Sequence, residues 1–223
     1  MKVGELVINM KHPAKYTDKF IPIFYNYLKD KETVLDPMAG TGKLSKIREH
    51  GYTGKIYCND ILDWKSSKFE GVDEWTFCDA ASLPYEDDQF DALCTSPTYG
   101  NRMADHFEAK DSSKRITYRH CYGEPLSKNN TGRMQWGKRY KEKHRKIYTE
   151  CKRVLKDNGI FIVNISDHIR AGKIIPVVEW HKEVLLELGL KIVENHRIKT
   201  PRMGFGANRN ARVQYEHVIV FHK

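Results

Sequence analysis

Val34-Leu35-Asp36-Pro37-Met38-Ala39-Gly40-Thr41-Gly42 reads as a buried strand that runs straight into a tight glycine loop and then a helix. In open α/β sheets, ligands collect at the carboxyl ends of strands, beside the helix N-terminus that follows. Gly40 and Gly42 permit positive φ and let the backbone approach a ligand without an intervening Cβ. Asp36 sets a carboxylate at the strand tip, where it can take a cationic amine. An acid followed by two close glycines suits a zwitterionic amino-acid ligand. The dinucleotide fingerprint differs: its three glycines follow G-x-G-x-x-G and its acid lies well downstream.

The 223 residues fit one large α/β domain, or a domain with a sizeable insertion. A 40% hydrophobic and 30% charged composition is that of a soluble globular chain. No apolar run approaches a membrane span, and Met1-Lys2-Val3-Gly4-Glu5 does not open like a signal peptide, so a cytoplasmic location is expected. Cys58, Cys78, Cys94, Cys121 and Cys151 are odd in number and form no C-x-x-C, which fits reduced thiols and calls for neither a metal site nor a disulfide frame.

The net charge of +9 is unevenly distributed. Residues 101–146 hold thirteen Lys/Arg against five Asp/Glu, and residues 199–212 hold four Lys/Arg and no acid, which leaves a net −3 for the rest. A basic charge confined to two segments of a mildly acidic chain points to a polyanionic partner bound by those segments.

Taken in order, residues 20–28 have the apolar spacing of an amphipathic helix with Pro22 in its first turn. After the opening loop, Lys43–His50 continues as a helix that Gly51 and Gly54 end. Ile56–Asp60 is a second strand and Trp75–Ala80 a third, each carrying an acid towards its carboxyl end: Asp60, with Asp63 as the alternative, and Asp79. A carboxylate offers only acceptors, so an acid at such a tip suits ribose hydroxyls. Phe90–Thr95 is the fourth strand and leads into Ser96-Pro97-Thr98-Tyr99-Gly100.

These stretches together resemble the S-adenosylmethionine-dependent DNA amino-methyltransferases of phages and bacteria. Lys11-His12-Pro13-Ala14-Lys15 resembles motif X, Asp36–Gly42 resembles motif I, and Ser96-Pro97-Thr98-Tyr99 resembles motif IV, written (Asp/Asn/Ser)-Pro-Pro-(Tyr/Phe/Trp). The resemblance implies that S-adenosylmethionine is held by His12, Pro13, Asp36, Pro37, Ala39, Gly40, Gly42, Asp60, Asp79, Ala80 and Ser96. Within that set, Asp60 would take the ribose, while Asp79 and the Ala80 N–H would read the adenine.

Motif IV has a chemical rationale. An amine conjugated to a base has its lone pair delocalised and is a poor nucleophile. Ser96 and the Pro97 carbonyl can each accept an N–H bond from it, drawing the nitrogen towards tetrahedral geometry, and proline holds its carbonyl in place beforehand. Tyr99 offers a flat face to an extruded base. The resemblance thus makes Ser96, Pro97 and Tyr99 the catalytic residues. Thr98 departs from the usual second proline. Serine in the first position resembles the cytosine-N4 subgroup more than the adenine-N6 one, and the Pro-Cys arrangement of carbon-5 cytosine methylation is absent.

Residues 101–146 mix basic and aromatic side chains, too long for an ordinary connection and suited to target recognition. Arg102, Arg115, Arg119, Arg133, Trp136 and Arg139 are the nucleic-acid candidates there. A helix from Tyr140 to Leu155 and the turn Lys156-Asp157-Asn158-Gly159 precede a fifth strand, Ile160–Ile165. Beyond it, Asn164, Asp167 and His168 could line the base pocket, with a helix cap by Ser166 or Asp167 an equal reading. Pro176–Leu188 is a helix, and Lys191–Ile198 and Val213–His222 are a closing strand pair. Between them lies a basic glycine-rich loop, 199–212, with Arg202, Arg209 and Arg212 as further phosphate candidates.

The expectation is one α/β domain over 1–223: a Rossmann-like, mostly parallel seven-stranded sheet of the class I methyltransferase kind with an antiparallel final pair. It would contain the 101–146 insertion and the 199–212 loop. The expected activity is methyl transfer to the exocyclic amine of a flipped base in double-stranded DNA, cytosine N4 favoured, in a bacterial or phage-infected cell and in the manner of restriction–modification enzymes. Adenine N6 and structured RNA are the alternatives, and an inactive nucleic-acid-binding module is the reading from another class. No metal or membrane is involved, and the oligomeric state is open.

Overall fold

The computed structural model describes residues 17–64, 68–100, 126–170, 172–200 and 213–223. Its centre is a seven-stranded sheet in the order β3-β2-β1-β4-β5-β9-β8. The strands are β1 (Thr33–Asp36), β2 (Lys55–Asn59), β3 (Glu74–Thr76), β4 (Phe90–Thr95), β5 (Leu155–Ile165), β8 (Lys191–Lys199) and β9 (Tyr215–His222). Pairings from β3 across to β5 are parallel, and β9 runs antiparallel to both β5 and β8. A small hairpin of β6 (His168–Arg170) and β7 (Lys173–Ile175) follows β5 and is not apparent in the sequence.

Both faces of the sheet are apolar, which is why the central strands read as continuous hydrophobic runs. Strand alternation sends Leu35, Leu93, Phe161, Val163, Ile219 and Phe221 to one face. Val34, Ala92, Cys94, Ile162, Val218 and Val220 go to the other. The first face is covered by α2 (Lys138–Val154) and α3 (Val177–Glu187). In α2, Tyr140, His144, Ile147, Tyr148, Cys151 and Val154 recur at helical spacing and are buried, while Lys138, Arg139, Arg145 and Lys146 are exposed. The second face is covered by α1 (Ile21–Leu28) through Ile21, Phe24 and Leu28, and by Leu44 and Ile47 of the Lys43–His50 helix. That latter helix is of the tighter 3-10 form, closed by Gly51 at φ 100°.

Two elements differ from the sequence reading. β3 stops at Thr76, so Asp79 lies in the loop beyond it. Lys156–Gly159 does not precede β5 but sits inside it: Phe90 pairs with Leu155, Ala92 already pairs with Ile160, and Asn158 takes φ 62° in the extra turn. Asparagine tolerates that left-handed conformation, so the excess residues are absorbed as an irregularity at the strand's start.

The chain leaves β1 towards β2 and β3, then returns to lay β4 on β1's other side. β1 and β4 are thus the switch point where the sheet order reverses, and open α/β sheets bind ligands beyond the carboxyl ends of the strands at such a point. With Val34 level with Ala92 and Leu35 level with Leu93, the register brings the residues after Asp36 and after Thr95 to the same rim.

Candidate active site

The β1 tip is built from local backbone necessities. Gly40 and Gly42 adopt φ 56° and 77°, the left-handed region that side chains disfavour. A Cβ at Gly42 would also lie 2.7 Å from Cζ2 of Trp75. The loop is tied to the next strand by the Ala39 N–H to the Asn59 carbonyl at 2.8 Å.

Asn59, fully buried, acts as a staple the sequence reading missed. Its amide donates to the carbonyls of Pro37 and Cys78, both at 3.1 Å, and its Oδ1 accepts from the Thr76 hydroxyl at 2.9 Å and the Cys78 N–H at 3.2 Å. One side chain thereby fixes the loops beyond β1 and β3 to each other. A polar residue ending an apolar strand was the available signal.

Asp36 is 2% exposed and accepts the Met38 N–H at 3.1 Å. Burial pushes its carboxyl up to about 7, against the opposing pull of the neighbouring Thr95 hydroxyl and the Met38 N–H. Asp60 uses one oxygen for the Gly40 N–H at 2.8 Å and the other for the Leu62 N–H at 2.9 Å. Burial raises it to about 6. The Trp64 side chain and the Ile61 N–H also donate to this carboxylate and oppose that rise. Among the described residues no lysine or arginine pairs with either acid. Two carboxylates desolvated this way are held ready for a donor-rich, cationic ligand.

Asp79 differs: its Oδ1 accepts the Ala81 N–H at 3.0 Å, and its Oδ2 is ion-paired with Lys143 of α2. Ala80 beside it is buried. The sequence reading did not single out Lys143, because a basic residue on a basic helix carries no mark of its partner.

At the β4 tip, Ser96 Oγ lies 3.1 Å from Oδ1 of the buried Asn164 on β5, and the Asn164 amide nitrogen donates to the His217 carbonyl at 3.3 Å. That second bond directs the amide oxygen to Ser96. An amide oxygen only accepts, so the serine hydroxyl is the donor and its own lone pairs stay available. The Thr98 carbonyl accepts the Tyr140 hydroxyl. Gly100, at φ 69°, accepts the Trp136 N–H at 2.8 Å, and a Cβ there would meet the Trp136 backbone at 3.1 Å. His168 is lowered by burial and hydrogen-bonded to the Tyr99 backbone. Asp167 accepts the Val178 N–H at 2.8 Å, so it caps α3.

Of the nucleic-acid candidates, Arg133 donates to the Leu126 carbonyl at 2.8 Å and Arg139 to the Lys128 carbonyl at 2.5 Å. Trp136 packs against Tyr140 and Trp180, with ring centroids 5.3 and 5.6 Å away. His12, Pro13, Arg102, Arg115, Arg119, Arg202, Arg209 and Arg212 lie outside the described residues.

The strand order, the single reversed strand and the acids at the β1/β4 switch point define a Rossmann-like methyltransferase fold. The chain belongs to the N6/N4 methyltransferase family of DNA methylases, whose model matches residues 90–223, from β4 onward. No curated protein matches the sequence. Solved structures extend the likeness of fold to the β1 half. A SAM-dependent methyltransferase from Methanosarcina mazei shares 14% identity over 91% of this chain and 97% of its own, with a TM-score of 0.57. One from Archaeoglobus fulgidus shares 13% over 92% of each chain, at 0.56. The cyclase SpnF shares 15% over 92% of this chain and 80% of its own, at 0.59.

Proposed function

We propose that the protein methylates the exocyclic amine of a base flipped out of double-stranded DNA, with cytosine N4 as the preferred target and S-adenosylmethionine as donor. The observation that carries this reading is the Ser96 hydroxyl, turned by Asn164 into an acceptor on the rim it shares with the desolvated Asp36. The donor fits the residues present: Asp36 offers a buried carboxylate to its ammonium, and Asp60 an acceptor-only group to its ribose hydroxyls. Asp79, Ala80 and the loop of Pro37, Ala39, Gly40 and Gly42 would complete the site, with His12 and Pro13 closing it. When bound, S-adenosylmethionine supplies a methyl group made electrophilic by its sulfonium.

In this reading the chain's own work is to position and polarise the amine. Ser96 Oγ and the Pro97 carbonyl accept its two N–H groups, which loosens the conjugation of the nitrogen lone pair. Tyr99 stacks on the base and offsets part of the few kcal/mol lost on unstacking. The nitrogen gains the methyl and loses one proton, which passes to solvent, so no strong base is required. Basic side chains in 101–146 and 199–212 would hold the phosphate backbone.

Incubation with methyl-labelled S-adenosylmethionine and DNA or RNA, followed by nucleoside mass analysis, tests the reading. N4-methylcytosine in DNA is the expected product. N6-methyladenine would move the target, labelled RNA would change the polymer, and no transfer to any nucleic acid would leave a binding module.

A further inference from the structure

Behind the Ser96–Tyr99 turn, on the face of the sheet covered by α2 and α3, lies a buried polar chain that no step above uses. Tyr140, Tyr148 and His181 are all fully buried. The Tyr140 hydroxyl contacts the Thr98 carbonyl and lies 2.9 Å from Nε2 of His181, whose Nδ1 lies 2.5 Å from the Tyr148 hydroxyl. The proton order in this chain is determined by one end. A carbonyl only accepts, so Tyr140 must donate to Thr98. The Tyr140 oxygen therefore accepts from His181, which fixes the Nε2–H tautomer and leaves Nδ1 to accept from Tyr148. Every member then has its partner with no charge introduced, and burial keeps both phenols protonated and the imidazole neutral. The Tyr140 ring is wedged by His144, 4.0 Å between centroids, whose Nδ1 lies 3.0 Å from the Tyr140 carbonyl.

We propose that Tyr140, aligned by His181 and Tyr148, is a positioning residue that fixes the Ser96–Tyr99 turn through the Thr98 carbonyl. The inference rests on the assignment of Ser96, Pro97 and Tyr99 to methyl transfer. Thr98 has a free φ, so its backbone gives the turn no stiffness of its own, whereas a proline ring would lock that torsion. A hydrogen bond from a rigid phenol anchored in the core holds the peptide after Thr98 instead. Bonds in a desolvated chain of this kind reinforce one another, so the far members matter although they touch neither substrate nor donor.

The test is Tyr140→Phe, which keeps the ring and removes the hydroxyl, assayed well below its own melting temperature. We expect kcat for methyl transfer to fall at least tenfold with S-adenosylmethionine affinity unchanged within twofold, and Tyr148→Phe to lower kcat by a smaller factor. Placed in a Thr98→Pro background, Tyr140→Phe should lower kcat less than threefold, because the ring replaces the lost constraint. An undiminished Tyr140→Phe rate, a defect confined to donor affinity, or an equal loss in both backgrounds would overturn the proposal. The wild-type protein gives a readout independent of turnover: nitrogen-detected imidazole NMR should show His181 as the neutral Nε2–H tautomer at neutral pH. The Nδ1–H tautomer or an imidazolium there refutes the relay even if methylation is active. Conversely, a wild-type protein with the expected tautomer that transfers no methyl refutes the assignment of Ser96–Tyr99, and the positioning role with it.

Discussion

Replacing Asp36 by Asn should stabilise the ligand-free protein while removing most of its affinity for S-adenosylmethionine. Burial lifts the Asp36 carboxyl from 3.8 to about 7. A group whose folded value is raised in this way binds a proton in the folded state that the unfolded chain has already released. Stability from this residue is therefore greatest below pH 4 and declines as pH rises towards 7. At 1.36 kcal/mol per pH unit, a rise from 3.8 to about 7 corresponds to a penalty of roughly 4 kcal/mol at pH 8. Asn is isosteric, keeps an oxygen for the Met38 N–H and carries no charge, so the variant should recover about 2–4 kcal/mol. For a chain of this length that is a rise in melting temperature of roughly 5–12 °C at pH 8, shrinking towards zero near pH 4. Donor binding should respond in the opposite sense. The wild-type Kd should rise about tenfold for each pH unit below 7, as Asp36 takes up its proton, and should weaken again above about pH 8, where an α-amine loses its charge. Calorimetry of S-adenosylmethionine binding between pH 5.5 and 9, with thermal melts on the same samples, measures both. A flat Kd from pH 5.5 to 7.5, or an Asp36→Asn protein that melts lower at pH 8 and binds the donor as before, would refute the reasoning.

Three other outcomes are expected. Ser96→Ala and Tyr99→Ala should each retain donor binding within a few-fold, while turnover falls by about a hundredfold, the scale seen when one preorganised hydrogen-bonding group is lost from an active site; unchanged methyl transfer in either would remove the turn from the mechanism. Asn164→Ala should lower kcat about tenfold by freeing the Ser96 hydroxyl, with donor affinity kept, and an unchanged kcat would show that orientation of the serine is irrelevant. Gly42→Ala must fit a Cβ 2.7 Å from the Trp75 ring at φ 77°, so it should destabilise by about 1–3 kcal/mol and weaken donor binding; a melt unchanged from wild type would contradict that close approach.

The sheet was legible because its signals are local. β-period apolar runs, the glycines of 40–42 and a polar or acidic residue at the end of each early strand depend only on neighbours in the chain. Val34–Asp36, Phe90–Thr95 and the closing pair 191–199 and 215–222 appear close to where the pattern puts them. Boundaries failed where pairing decides them: β3 ends before Asp79 because its partner β2 ends at Asn59, which pairs with Thr76. Asp167 had equal readings as pocket residue and cap until the Val178 N–H was placed against it.

From the sequence alone, the chemistry on offer is determined: acids at or just beyond the ends of successive strands, glycines in the loop after β1, and the Ser96–Tyr99 turn. What each group does depends on partners far away in the chain. Ser96 becomes an acceptor through a residue 68 positions later, Asp79 meets a lysine 64 later, and the Thr98 carbonyl is anchored by a tyrosine 42 later. Spacing cannot encode such pairs. The direction of a hydrogen bond and the protonation of a carboxylate are set by which side chains the packed sheet and helices bring within 3 Å, and by the water they exclude.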